Sequence, residues 1–345
     1  GAFFDSLSPF DDCGVSAMHV QGSGMRGGYA YVCDTGPLGC IWRFKKNSDA
    51  SQWNIFASPN ATMLLAHGYE GTRDLLWETL GAMGARVSDH SINRVDFAMD
   101  FRTRGYEPRY ELFSSHSHTK TRMHFGEPES NHDRNQPGMI MRGRKLESVT
   151  IGKMPGRQII VYDKRREAIE KRKFFWFKAW GEDRHDQELE VWRIEIRAGK
   201  KELKDKYQMR TFEDLENGIG DVIVNSLDAI RYVADGQIDT NISRKAVHLI
   251  WRQAQELASQ KLIEFRSGLT PDQVRQITRE EAKETYRRLC LGNAIGFGIA
   301  HGLSDDELME FLPGMISEDM RDVIKNERKN IDKSIRRNRE RLHFI

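Results

Sequence analysis

The sequence lacks any apolar run near the roughly 18 residues that a membrane-crossing helix needs, so no spanning segment is expected. Cysteine is scarce: Cys13, Cys33, Cys40 and Cys290 are scattered, with no C-x-x-C pair among them. That scatter argues against a disulfide framework and against a cysteine zinc site, and a reducing cytoplasm is the expected location. The opening "GAFFDSLSPFDD" lacks a basic stretch followed by an apolar one, so a secretory leader is not expected. An excess of either charge is also missing. Lys and Arg total 53 against 51 acids, a net charge of +2, which does not by itself mark a nucleic-acid binder. No internal repeat is present.

What is there is a soluble-type balance, 39% hydrophobic and 30% charged over 345 residues, enough for two domains or one large one. Charge is segregated. Residues 142 to 173 and 321 to 345 lean basic, while "FEDLENGIGD" and "SDDELMEF" lean acidic. Segregation of this kind permits a local phosphate-binding face, although a charge run is also what plain solvated surface looks like.

Two patterns divide the chain. Up to about residue 205 the sequence reads as short strands rich in aromatic and β-branched residues, broken by glycine clusters. Leu75, Leu76, Leu80 and Met83 recur at helical spacing, with Gly84 as a stop. Beyond residue 205 long helical periods take over, and Thr211, Thr270 (before Pro271), Ser304 and Ser317 read as N-caps. The expectation is an α+β protein: a β-rich, mostly antiparallel catalytic domain over 1–205, then an all-helical DNA-binding or assembly region over 206–345.

"GSGMRGG" fits G-x-G-x-x-G, but a strand and not a helix follows, so a hairpin turn is expected rather than a dinucleotide site. His116 and His118, in "SSHSHTK", sit among polar residues and read as a surface loop; a histidine metal pair is the alternative. "RVDFAMDF" places Asp96, Ala98 and Asp100 on one strand face, and "VWRIEIRAG" places Arg193, Glu195 and Arg197 on another. Two readings are open. Converging carboxylates need a cation between them and suit Mg²⁺ or Mn²⁺. Alternatively, Asp96 and Asp100 pair with Arg193 and Arg197 as salt bridges.

"GRQIIVYDKRREAIEKRK" ends a short apolar strand in Tyr162, with Ile160 and Lys164 read on the same face. A half-buried tyrosine is the ordinary reading. A tyrosine nucleophile would need help in ionising and cations for the phosphate, and Lys153, Arg157, Lys164, Arg165 and Arg166 could supply the latter.

Taken in order, "RVDFAMD", the "TIG" strand start, "VYDK" and "WRIEIR" resemble the Rep_trans family of replication initiation factors, from about Leu75 to Lys201. The family contains rolling-circle plasmid initiators, filamentous-phage initiators and related relaxases. The resemblance implies Tyr162 as nicking nucleophile, with Lys164 beside it, and a divalent metal held by Asp96 and Glu195, with Asp100 as a further ligand. DNA contacts are then expected from Lys153, Arg157, Arg165, Arg166, Arg193 and Arg197. Where many members carry a Ser-rich turn and an arginine two residues before the tyrosine, this chain has "KMPGRQ" and Ile160, with Arg157 as the substitute base. The implied activity is nicking of one strand at a replication origin, leaving a 5′-phosphotyrosine link and a free 3′-OH primer. The implied partners are origin DNA, single-stranded or extruded at the nick, a host helicase and polymerase, and a second copy in a homodimer, in the cytoplasm of a bacterial host. A relaxase of a mobile element would share this chemistry. A DNA- or RNA-binding regulator that cuts nothing is the reading from another class.

Overall fold

The computed structural model describes residues 19–21, 24–25, 27–46, 49, 51–115, 123–124, 138–236, 244–260 and 269–342. His116 and His118 lie outside the described residues. The chain forms two compact units, each assembled from separated stretches. One comprises residues 1–84, 174–180 and 266–345, the other 85–173 and 181–265. The α+β expectation holds, with antiparallel sheets in the N-terminal part and helices in the C-terminal part.

In the first unit β1 (His19–Val20), β2 (Tyr29–Asp34), β3 (Cys40–Lys45) and β4 (Ile55–Pro59) form an antiparallel meander in chain order. The glycine cluster before β2 makes a turn, as expected: Gly27 and Gly28 take positive φ and Met25 N–H donates to Tyr29 O. Helix α1 (Ala61–Ala82) runs through Gly68, whose φ of 70° kinks it. It stops where expected, with Gly84 in the left-handed region just past the end. The short α3 (Phe175–Trp180) and the long α6 (Pro271–Ala300), α7 (Asp305–Asn326) and α8 (Arg328–Leu342) complete this unit. Thr270 and Ser304 both make capping boxes. Ser317, expected to start a helix, lies inside α7, because Pro313 does not end that helix. The basic C-terminal stretch is divided at Glu327, between α7 and α8.

The second unit carries a six-stranded sheet in the order β5-β11-β10-β9-β8-β7. Its strands are β5 (Arg94–Thr103), β7 (Met123–His124), β8 (Gly138–Arg142), β9 (Lys145–Gly152), β10 (Arg157–Asp163) and β11 (Glu190–Gly199). All neighbours are antiparallel except β7 and β8. Alternation along the strands buries Met99, Phe101, Val149, Ile151, Ile159, Val161, Ile194 and Ile196 on one face. Each such side chain is worth about 1.5–3 kcal/mol of burial. Helix α2 (Lys164–Glu170) follows β10 directly and packs against β11. Helix α4 (Phe212–Ala229) opens with a capping box at Thr211 and buries Leu215, Ile219, Val222, Ile223 and Leu227, one stripe at helical spacing. Trp251, on α5 (Leu249–Ala258), donates its indole N–H to Leu227 O at 2.9 Å and so fastens α5 to α4. A short strand, β12 (Ile230–Tyr232), pairs with β6 (Phe113–Ser115) and interrupts the otherwise helical C-terminal part.

The β9–β10 hairpin is tight. Gly152 has φ +93°, and a Cβ there would run into the Arg157 carbonyl. That is a physical reason for the glycine of "TIG". The turn also touches the end of β11, where Gly199 N–H donates to Gly156 O at 2.8 Å.

Candidate active site

The strand order brings the three motifs side by side. Strand β11 lies between β5 and β10, and the register sets Asp100 opposite Arg193 opposite Tyr162. Two residues along, Ala98 faces Glu195 and Glu195 faces Ile160; two further, Asp96 faces Arg197 and Arg197 faces Gln158. All these side chains share one sheet face, as alternation predicts.

The exposure of that face is graded. Asp96 and Ala98, on the outer strand, are exposed, Asp100 and Tyr162 are half-buried, and Arg193 and Glu195 are buried. Arg193 grips Asp100 with both arms of its guanidinium, Nε to Oδ1 at 2.6 Å and Nη2 to Oδ2 at 2.7 Å. This is the bidentate fork that makes arginine–carboxylate pairs strong and directional. Arg197 Nε donates to Glu195 Oε1 at 2.7 Å and lies 3.7 Å from Asp96 Oδ2, so one guanidinium serves two carboxylates. Arg94 Nε completes Asp96 from the same strand at 2.9 Å.

Tyr162 donates its phenol hydrogen to Glu195 Oε2 at 3.2 Å. Burial pushes the phenol above its ordinary range; the Arg193 guanidinium opposes that rise, and Glu195, Glu167 and Asp100 add to it. The resting phenol is therefore protonated at neutral pH.

Lys164 is placed differently from the strand-face reading. The strand ends at Asp163, whose Oδ1 accepts from Arg166 N–H at 2.9 Å and caps α2, so Lys164 begins a helix. Its buried ammonium nevertheless lies 5.8 Å from the Tyr162 ring centroid. Burial first, and Arg193 second, pull Lys164 down to about 8. Its partner is Glu167, which also receives Lys171 and Lys173. Burial alone would raise Glu167, yet these ammonium groups, Lys164 first, hold it down to about 2. Sequence reasoning passed over Glu167 and Arg94. Arg94 was readable, since it is two residues from Asp96 on the same strand face; Glu167 needed the switch to helix at Lys164.

The other bases scatter over several duties. Lys153 is exposed in the β9–β10 turn. Arg157 donates to Asn225 O at 3.3 Å and pairs with Glu202 at 3.5 Å. Arg165 Nη2 holds the carbonyl of Asp186 at 2.7 Å, pinning the loop before β11. Arg166 pairs with Glu147 and Glu170, both at 2.9 Å.

Among the described residues no group of three His, Cys, Asp or Glu side chains is placed to hold an ion. Asp96, Asp100 and Glu195 instead take guanidinium partners, and Arg197 stands where a cation shared by Asp96 and Glu195 would be.

No family model matches the chain, and no curated protein matches it. Among solved structures it is similar to the rolling circle replication initiator protein from Geobacillus stearothermophilus, at 12% identity and a TM-score of 0.38. The likeness covers 73% of this chain and 84% of that one. No helix among the described residues is long and apolar enough to cross a membrane.

Proposed function

We propose that the chain is a replication initiator that nicks one DNA strand at an origin, with Tyr162 as nucleophile. The observation that carries this reading is the phenol of Tyr162 held by Glu195 on a strand face that also presents Arg193 and Arg197. A half-buried tyrosine with a purely packing role needs some acceptor for its hydroxyl, and a neutral one would serve; here the acceptor is a buried carboxylate that also holds a guanidinium.

The step uses groups of this chain. Tyr162 Oη attacks the scissile phosphorus in line. Its O–H bond breaks and the proton passes to Glu195 Oε2, already its hydrogen-bond acceptor. The bond from phosphorus to the 3′ oxygen breaks, and that oxygen takes a proton from solvent to give a free 3′-OH. The 5′ end stays on Tyr162 as a phosphotyrosine. In this reading Arg193 and Arg197 supply positive charge beside the phosphate, where fixed charge lowers the barrier most. Lys164, under the ring, adds positive charge beside the phenolate as it forms. Single-stranded or extruded DNA suits the reaction, because in-line attack needs an unstacked, accessible phosphate. The divalent ion implied by the family resemblance has no ready ligand set here, so no step is assigned to it.

The test is incubation of end-labelled single-stranded origin DNA, and of supercoiled origin plasmid, with the protein. A covalent protein–DNA adduct on a denaturing gel, and open circles from the plasmid, support the reading. Binding without any adduct would favour the non-cutting regulator. A relaxase would form the same adduct, and the element whose DNA is cut separates that case from a replication initiator.

A further inference from the structure

Helix α8 (Arg328–Leu342) has two unlike sides. At helical spacing Ile331, Ile335, Asn338 and Leu342 fall on one side. Ile331 and Leu342 are half-buried there, and Asn338 Oδ1 accepts from Tyr286 Oη of α6 at 3.4 Å. This seam is too narrow to be a core stripe. Offsets of four, seven and eight residues put Lys329, Lys333, Arg336 and Arg337 together on the opposite side, all exposed.

The contrast with α6 gives this face its meaning. On α6 the cations are matched by acids one turn away: Arg275 by Asp272, Lys283 by Glu280, Arg287 and Arg288 by Glu284. On α8 the described acid Asp332 is taken by Arg328 at 3.2 Å. Among the described residues no ion pair is recorded for Lys329, Lys333 or Arg337. Like charges one turn apart cost a helix about 0.2–0.5 kcal/mol per pair. An ordinary solvated helix escapes that cost as α6 does, by interleaving acids. From Lys329 to Arg337, about 12 Å of helix, this side carries no acid, and the sequence next offers one at Glu340, three residues past Arg337; such a run of cations suits a polyanion with closely spaced charges.

We propose that the Lys329–Lys333–Arg337 face of α8 binds the phosphate backbone of duplex DNA, independently of base sequence. This rests on the reading of the chain as a DNA-nicking protein and adds the surface that holds the flanking duplex. The face lies in a different unit from Tyr162 and carries none of the nicking groups. Phosphate contacts of this kind supply affinity and position without sequence choice.

The experiment uses the full chain with Lys329→Gln, Lys333→Gln and Arg337→Gln combined. These residues are exposed, so circular dichroism and melting should match the parent. Binding of a random-sequence duplex is followed by fluorescence anisotropy across a potassium chloride series. Each lost phosphate contact flattens the log–log salt slope by about 0.9, so the slope should fall by about two to three units. Adduct formation with a short single-stranded oligonucleotide should not change. An unchanged duplex slope overturns the proposal. So does a variant that loses polyglutamate binding while keeping duplex affinity, because the face would then serve an acidic protein. Failure of the nicking reading shows separately, as a parent protein that forms no adduct while its duplex salt slope remains measurable.

Discussion

Tyr162 and Glu195 meet across the β10–β11 ladder on a diagonal. Tyr162 is registered with Arg193, yet its hydroxyl reaches the carboxylate two residues further along, at 3.2 Å. The phenol is thus held by an acid and flanked by a base. Tyr162→Phe removes the hydroxyl and little else. Adduct formation should vanish while melting temperature and DNA affinity stay near the parent's. An adduct persisting on the denaturing gel would place the nucleophile elsewhere.

Arg193 and Asp100 form a buried, two-armed pair. Arg193→Ala strands Asp100 without its charge partner. Removing one partner of a buried pair costs about 3–5 kcal/mol, so the urea midpoint should drop sharply. Arg193→Lys keeps the charge but loses the fork, and should fall between the two proteins. Equal stability of all three would show that the pair is solvated in solution.

Arg197 is the cation shared by Asp96 and Glu195. Arg197→Gln leaves those two carboxylates without the guanidinium they share. Calorimetric titration with Mn²⁺ should then show tighter binding than to the parent. Identical isotherms would show that Arg197 does not stand in the way of an ion.

Lys164 titrates near 8 in the folded protein and near about 10.4 when unfolded. Between those values the unfolded chain holds the proton and the folded chain does not, so this group makes stability rise with pH over that window. Below about 8 both states hold the proton and the full penalty of burying the ammonium applies. Lys164→Met should remove this rise, so the variant's stability relative to the parent falls as pH climbs from 8 to about 10.4. Urea denaturation at a series of pH values reads the difference; parallel curves would contradict it.

Gly152 takes φ +93° with the Arg157 carbonyl where a Cβ would go. Gly152→Ala should cost at least about 1–3 kcal/mol and loosen the β9–β10 hairpin. An alanine variant as stable as the parent in urea would show that the turn reshapes freely.

Much of this face was legible beforehand because side chains alternate strictly along a strand. Asp96 with Asp100, and Arg193 with Glu195 and Arg197, could be assigned to common faces from spacing. Which strands would be neighbours could not. Strand β11 sits between β5 and β10, out of chain order, and that insertion creates the Tyr162–Glu195 contact and the guanidinium pairs. Alternation left the carboxylates open to either a metal or salt bridges; the register pairs Asp100 directly with Arg193 and Asp96 with Arg197. Lys164 was assigned to the strand face because periodicity does not mark where Asp163 turns a strand into a helix. The caps at Thr211, Thr270 and Ser304 were readable from local chemistry alone, whereas Ser317 was not, since a helix that tolerates Pro313 hides its own continuity.

The chain passes between its two units at residues 84/85, 173/174, 180/181 and 265/266. Phe174–Trp180 is therefore a loan: it is spelled between two strands of one unit and belongs to the other. A fragment covering 85–265 would carry Phe175, Trp176 and Phe177 without the rest of the unit to which they belong. Proteolytic cleavage at any one crossing would leave the halves still tethered by the other three. Excision of the unit that carries Tyr162 for separate study calls for replacing 174–180 with a short polar linker, not for choosing a better terminus.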